Sequence, residues 1–266
     1  MNWLKQFAKG FSANFKAMSF IKDHNMWGFF IFPIVINIGL FYLGFSVTSG
    51  LSDTIFDWLK DFLGIGSWEF DGADTLSSVI WFLIWIVLKI LFFFLYAYLG
   101  GYIVLILMSP ILAWVSERTE KLATGRDYPF SLKRFITDVI RGVFIGVRSF
   151  ILEVIITLAI VIIGFIPILG FLSPILLFAV SAYFYGFSFI DYSSERKGLK
   201  MKESMSYVSN RKGLAIGTAM PFSALLLIPY IGQMLAGFTA VIGTVGATLA
   251  VLEVDGQSQT EISSHA

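Results

Sequence analysis

Charged side chains are scarce in this chain, so only a few of its apolar stretches carry a residue that could do chemistry. Lysine, arginine, aspartate and glutamate make up 14% of the 266 residues, against about a quarter in a typical soluble domain. Lys89 lies inside one long apolar stretch, and Arg141, Arg148, Glu153 and Asp191 flank another. Because an ionisable group inside a bilayer is costly, each of these residues is a candidate for function.

Lys89 is the one charge in residues 75–116. In a permeation path it would offer a passing anion a cationic stopping point. The alternative, which we favour, is structural: Lys89 would pair with a carboxylate such as Glu153 or Asp191, or extend its ammonium group toward the outer face.

Arg141 and Arg148 are seven residues apart, so they share one face of a helix. They could line a vestibule that concentrates anions, or they could contact lipid headgroups and pair with Asp138 and Glu153. For Asp191 the sequence favours a structural role, either capping a helix start or bonding the basic loop 195–202.

Several kinds of chemistry are excluded by composition. The chain has no cysteine, which excludes disulfides, thiol catalysis and thiolate metal sites. Its two histidines, His24 and His265, stand near opposite ends of the chain. No Ser/His/Asp set and no Walker loop is present, so we predict no enzyme activity, no cofactor and no metal. The net charge of +1 gives no sign of a nucleic-acid partner.

The elements that position these residues are predicted to be membrane helices. The chain is 57% hydrophobic with a mean hydropathy of +0.80, which indicates an all-α integral membrane protein. We predict spans at about 27–47 and 79–108, the second ending near Ser109-Pro110. Asn37 in the first span should be buried against a neighbouring helix. The acidic segment 48–74 between the spans reads as a loop with a short amphipathic helix.

Two further stretches, 154–190 and 213–252, carry no charge and each has a Pro/Gly motif near its middle. Pro167 with Gly170, and Pro229 with Gly232, predict chain reversals. The leading arms, 13 and 16 residues long, are too short as helices for the ~30 Å hydrocarbon core. We therefore predict two re-entrant helical hairpins, at about 149–190 and 213–252, with full crossing as the alternative.

The ends of the chain and the distribution of charge predict a topology. Residues 1–24 alternate lysines with aromatics, which favours an amphipathic helix in the headgroup region over a simple charged flank. Of the 19 lysines and arginines, 17 lie in that segment, in 117–153 and in 191–212, so both termini are predicted to be cytoplasmic. Residues 1–254 form one membrane domain, and 255–266 are predicted to be a disordered tail.

A family resemblance rests on the order of several short motifs. These are Pro33 and Asn37 in the first span, Ser109-Pro110, Phe189-Ile190-Asp191-Tyr192, Glu195-Arg196-Lys197-Gly198, Asn210-Arg211-Lys212-Gly213 and the second hairpin apex. Their order resembles the CysZ family of bacterial sulfate permeases and the related etoposide-induced protein 2.4 (EI24) family. The resemblance implies two long transmembrane helices, two partly penetrating hairpins, homo-oligomers and sulfate uptake across the bacterial inner membrane.

One segment departs from the pattern of sulfate-handling members, which resemble one another in a Gly-Leu-Arg-type segment before the first span. The corresponding stretch here is Asn25-Met26-Trp27-Gly28, and the nearest cation is Lys22. We therefore expect a permease or channel for sulfate or a related small anion. The alternative is a structural or scaffolding membrane protein without a permeation pathway.

Overall fold

The computed structural model describes residues 2–63, 73–126, 132–166, 170–228 and 231–264, although some side chains within these ranges, including 43–53 and 89–100, are outside the description. The described chain is helical, with no strand. Its helices are α1 (Trp3–Asp23), α2 (Ile31–Leu63), α3 (Ala73–Thr124), α4 (Leu132–Gly164), α5 (Ser173–Arg196), α6 (Met201–Ser209), α7 (Lys212–Leu226) and α8 (Ile231–Ser264). A short 3-10 helix, Met26–Phe30, joins α1 to α2.

Within the described residues, four segments are long and apolar enough to cross a bilayer: Gly101–Thr124, Val139–Gly164, Ser173–Arg196 and Ile231–Gly256. The predicted class, an all-α integral membrane protein, is thus confirmed. The predicted crossings at 27–47 and 79–108 include many side chains outside the description, so where these segments enter and leave the membrane stays a prediction. The described apolar parts of those regions are Met26–Gly39 and Thr75–Leu88.

α2 is longer than the sequence predicted. It continues to Leu63, so the first part of the predicted loop at 48–74 is helical, and that boundary was wrong. No proline interrupts residues 48–63, and a helix gains a hydrogen bond with each residue added. Trp58 and Phe62, one turn apart, stack with ring centroids at 5.2 Å. Residues 64–72 lie outside the described part.

α3 is a single helix of 52 residues, about 78 Å long. The predicted end near residue 108 was wrong, because the helix continues through Ser109 and Pro110 to Thr124. Proline removes one hydrogen bond, but neighbouring helices can support a membrane helix across that gap. Here α4 and α8 pack against α3, and Met108 and Leu112 on either side of the proline are fully buried.

The first hairpin consists of α4 and α5. α4 begins at Leu132, and the predicted reversal lies between its end at Gly164 and the start of α5 at Ser173. Pro167 lies outside the described residues. Gly170 is required by close packing, because a Cβ there would lie 2.6 Å from the Gly164 carbonyl oxygen.

The leading arm of this hairpin is much longer than the charge-free stretch suggested. α4 has 33 residues because charged residues inside it, including Glu153, do not end the helix. Its length therefore does not favour re-entry, since Val139–Gly164 is long enough to cross a membrane. How deeply the hairpin penetrates stays a prediction.

The second hairpin consists of α7 and α8. α7 has 15 residues, about 22 Å, so the short leading arm predicted here is confirmed. Pro229 lies outside the described residues. A Cβ on Gly232 would lie 2.4 Å from the Leu225 carbonyl oxygen, so a side chain at this position would separate the two helices.

α8 continues to Ser264, past Asp255, where the polar tail was predicted to begin; the disorder of that tail stays a prediction. A cluster around Tyr207 holds this end of α8. The Tyr207 hydroxyl donates to Asp255 Oδ1 at 2.9 Å, the Arg211 guanidinium lies 3.9 Å from the Tyr207 ring centroid, and Lys197 pairs with Asp255. Burial, with Asp255 beside it, raises the pKa of the Tyr207 hydroxyl above its ordinary value.

Candidate functional site

Glu153 on α4 is fully buried, with 0% of its surface exposed. The hydroxyls of Tyr102 on α3 and Ser181 on α5 each donate to one of its carboxylate oxygens. Among the described side chains, no cation bonds to Glu153. The predicted burial of Glu153 is thus present, and its contacts join three helices at one point.

Arg141 and Asp191 form a bidentate ion pair between α4 and α5. Arg141 Nε lies 3.0 Å from Asp191 Oδ2 and Nη2 lies 2.9 Å from Oδ1. Arg141 Nη1 donates to the Leu199 carbonyl at 2.7 Å, and the Ser204 hydroxyl also donates to Asp191. Asp191 thus bonds Ser204 on α6, just beyond the basic loop 195–202 that was predicted to contact it. Arg141 thus pairs with Asp191, a contact that the sequence did not suggest, while the suggested pairing with Asp138 falls on a side chain outside the description.

A second ion pair, which the sequence reasoning missed, joins Arg196 on α5 to Glu120 on α3. Arg196 Nε lies 2.7 Å from Glu120 Oε2, and both side chains are 5% exposed. Arg196 also donates to the Tyr192 carbonyl at 2.9 Å and to the hydroxyls of Ser116 at 2.8 Å and Ser193 at 3.2 Å. The sequence did contain one signal of a polar contact on α3. Tyr102, Ser109 and Ser116 are spaced seven residues apart, which places them on one face of that helix.

These three clusters lie along α5, and we call them together the polar seam; its members are Glu153, Tyr102, Ser181, Arg141, Asp191, Ser204, Arg196, Glu120 and Ser116. From Ser181 to Arg196 the seam covers 16 residues of one helix, a rise of about 22 Å. That distance is a large part of the ~30 Å hydrocarbon thickness of a bilayer. The seam therefore places hydrogen-bonding groups at successive depths between α3, α4 and α5.

Two buried hydroxyls near the seam have no hydrogen-bond partner in the described part of the chain. They are Ser109 on α3, 1% exposed, and Ser149 on α4, 0% exposed. Ser149 lies one turn from Glu153, and Ser109 faces Gly142, whose added Cβ would approach the Ser109 Cβ to 3.0 Å. Because buried polar groups nearly always have a hydrogen-bond partner, a water molecule or an ion is the partner to expect for these two hydroxyls.

Arg148 differs from Arg141 on α4 and Arg196 on α5. It is half-buried, and it makes no hydrogen bond or ion pair with any residue that the structure describes. Tyr183 on α5 lies close enough to feel its charge. Arg148 is nine residues beyond Val139, where the candidate crossing begins, or about 14 Å along the helix. Arg148 is thus a cation within a candidate crossing that has no carboxylate partner among the described residues.

The other predicted site residues are dispersed. The backbone of Lys89 lies in α3, but its side chain is outside the description. Lys22 is exposed in the last turn of α1. Asn37 is half-buried, and its amide donates to the Met234 carbonyl of α8 at 2.5 Å, which is the predicted contact with a neighbouring helix. Pro33, one turn earlier, packs against Gly237. No cluster of three or more His, Asp or Glu residues able to hold a metal occurs among the described residues.

The four candidate crossings and the polar seam define a multi-pass α-helical membrane protein. A family model described as sulfate transporter CysZ/etoposide-induced protein 2.4 matches residues 13–236. The chain therefore belongs to this family, as its motifs predicted. A search of curated proteins gives no significant match.

Proposed function

We propose that this protein carries a small inorganic anion, sulfate or a related oxyanion, across the membrane. Membership of a family that includes a sulfate transporter supports the class of function. The single observation that carries the proposal at the level of residues is Arg148, a half-buried cation within a candidate crossing that bonds to no described carboxylate.

Arg148 suits an anion stopping point because of what surrounds it. A planar guanidinium matches the oxygens of sulfate in pairs, and its attraction for an anion is stronger in a low-dielectric environment than in water. Arg141 and Arg196 are less suited, because both already hold carboxylates. Lys89 remains a second candidate for the path.

The polar seam would stabilise the helices that flank Arg148. In the α4–α5 hairpin, the Arg141–Asp191 pair lies on one side of Arg148 and the Glu153–Ser181 bond on the other. A cation needs to be held at a defined place if it is to bind an ion briefly and release it. The buried hydroxyls of Ser109 and Ser149 could complete the shell of the ion or hold water beside it.

Radiolabelled sulfate flux into proteoliposomes tests the proposal. Arg148→Gln removes the charge and should lower flux about tenfold or more, the loss expected when about 1.4 kcal/mol of stabilisation is removed. Arg118→Gln is the matched control, because Arg118 is an exposed arginine on α3, and its flux should equal that of the parent. Arg148→Gln protein with unchanged flux would remove Arg148 from the path.

A second variant distinguishes charge from packing. Tyr183→Glu places a carboxylate next to Arg148 and should lower flux by occupying the guanidinium, while the melting temperature stays near that of the parent. If the parent protein itself passes no sulfate, sulfite or related anion above empty liposomes, the scaffolding alternative is favoured.

The setting of this activity is also proposed from the sequence. We infer a homo-oligomer in the bacterial inner membrane, with both termini cytoplasmic, because 17 of the 19 basic residues fall in segments predicted to face that side. Cross-linking in native membranes tests the oligomer. Labelling of single cysteines at residues 2 and 264 from the outside tests the orientation, and modification of either one in sealed cells would contradict it.

A further inference from the structure

Helix α1 has three distinct faces, and the first is packed against the protein. Its buried residues are small or polar, namely Gly10, Ala13, Asn14, Ala17 and the larger Ile21. The backbones of α1 and α7 touch, because a Cβ on Gly10 would lie 2.5 Å from the Leu214 carbonyl oxygen and one on Gly217 would lie 2.4 Å from that of Phe7. α1 is therefore held at a defined orientation on the second hairpin.

The second face of α1 is an exposed apolar stripe. Trp3 is 47% exposed, Leu4 and Phe15 are each 63% exposed, and Met18 is 57% exposed. The rings of Trp3, Phe7, Phe11 and Phe15 follow one another along the helix with centroids 5.6, 6.3 and 5.6 Å apart. We call this face, with Leu4 and Met18, the aromatic stripe. At 3.6 residues per turn it covers an arc of about 120°.

The third face carries lysines. Lys5, Lys9 and Lys16 fall within about 40° of one another around the helix. Lys9 and Lys16 lie 3.5 Å and 2.8 Å from the Glu253 carboxylate of α8, yet the Lys16 side chain remains 56% exposed. Lys5 is exposed. Their mean direction is about 160° around the helix from that of the aromatic stripe, so the lysines form a cationic edge on the far side of α1 from the stripe.

We propose that α1 binds anionic lipid headgroups, with the aromatic stripe among the upper acyl chains and the cationic edge at the lipid phosphates. An aromatic face on one side of a helix and lysines on the other is the pattern of helices that lie in the interface of an anionic leaflet. A water-facing stripe of this size would be unfavourable, and the lysines make an anionic lipid a better match than a second apolar protein surface. Since the face of α1 between the lysines and the stripe is packed on α7 and α8, bound lipid would hold the second hairpin in place. The proposal does not depend on which anion, if any, is transported.

The absence of cysteine from the chain permits a direct test of the stripe. A nitroxide spin label is attached to single cysteines that replace Phe15 or Met18 in the stripe. Cysteines that replace the exposed polar residues Ser12 and Ser19 carry the same label as matched controls. The full protein is reconstituted in vesicles of phosphatidylcholine with one quarter phosphatidylglycerol. We expect the stripe labels to collide more with oxygen than with a water-soluble nickel complex, and the control labels to show the reverse.

Two outcomes of that measurement would overturn the proposal. Stripe labels as accessible to nickel as the controls would show a water-facing helix. Stripe labels shielded from both reagents would show that a protein surface, such as a second copy, covers the stripe.

The lipid specificity is tested separately by the affinity of phosphatidylglycerol, measured by native mass spectrometry with phosphatidylcholine as the neutral comparison. Lys5→Gln should weaken the first bound phosphatidylglycerol by about fivefold, the effect of one lysine at an anionic surface. Lys202→Gln, an exposed lysine on α6, should leave it unchanged. Equal affinity for both lipids in the parent, or no change in Lys5→Gln, would contradict a role for anionic headgroups.

Discussion

Removal of the Glu120 carboxylate should destabilise the protein far more than removal of a neighbouring surface charge. Glu120 and Arg196 are each 5% exposed and lie 2.7 Å apart. In Glu120→Ala, the Arg196 guanidinium would keep its bonds to the Tyr192 carbonyl and to two serine hydroxyls. Those neutral acceptors do not neutralise its charge.

The expected magnitude follows from burial. Breaking a buried ion pair by removing one partner costs about 3–5 kcal/mol, because an uncompensated charge stays behind. Replacing both partners by apolar residues of similar size is often close to neutral. Glu120→Met with Arg196→Met should therefore cost clearly less than Glu120→Met alone, even though the double variant removes more hydrogen bonds.

Unfolding free energies measured by steric trapping in bicelles would supply the comparison as a double-mutant cycle. Arg118→Ala, an exposed charge on the same helix, is the control and should change stability by less than about 0.5 kcal/mol. The reasoning fails if Glu120→Ala costs no more than Arg118→Ala, or if the costs of the two methionine substitutions simply add.

Three further predictions concern other contacts. Gly217→Ala should lower the free energy of unfolding by about 1–3 kcal/mol through overpacking, and it should speed hydrogen exchange in α1. Gly39→Ala is the control, because a Cβ there meets nothing within 4 Å, and it should have neither effect. Equal stabilities of the two variants would contradict close α1–α7 packing. Asp191→Asn should lower stability by about 3 kcal/mol, and the double variant Asp191→Asn with Arg141→Ala should be little less stable than Asp191→Asn alone. Additive losses in melting experiments would argue against coupling between Arg141 and Asp191. Because burial raises the pKa of the Tyr207 hydroxyl, the neutral phenol stabilises the fold, and this contribution is complete below the unfolded pKa near 10 and falls as pH rises above it. The parent should therefore lose melting temperature between about pH 10 and 12 more steeply than Tyr207→Phe, and parallel curves would refute this.

The elements that could be predicted are those with a strong local cause. The turns between α4 and α5 and between α7 and α8 follow from proline and glycine, and α1 follows from the spacing of its apolar residues. The ends of α2, α3 and α8 were misplaced because charged residues and Ser109-Pro110 were read as helix ends. A helix supported by neighbours passes through such residues, as α3 does at Pro110.

The partners within the polar seam could be predicted only in part. Arg141 and Asp191 lie at nearly equal distances along the chain from the first hairpin turn, as do Glu153 and Ser181, so the position of the turn implies both contacts. Glu120 and Arg196 are 76 residues apart and meet only because α3 packs beside that hairpin. No local sequence pattern predicts this packing.

The same register explains why Arg148 stands apart. Arg148 lies two turns from Arg141 toward the hairpin apex, and the residue of α5 close to it is Tyr183. In contrast, Arg141 meets Asp191 on α5, and Glu153 meets Ser181. Tyrosine supplies a ring and a hydroxyl but no charge to compensate a guanidinium. An acidic residue there would have made Arg148 another structural ion pair like those of Arg141 and Arg196. The pairing of α4 with α5 thus leaves Arg148 without a carboxylate among the described residues of the opposite helix, and the proposed anion path rests on this feature.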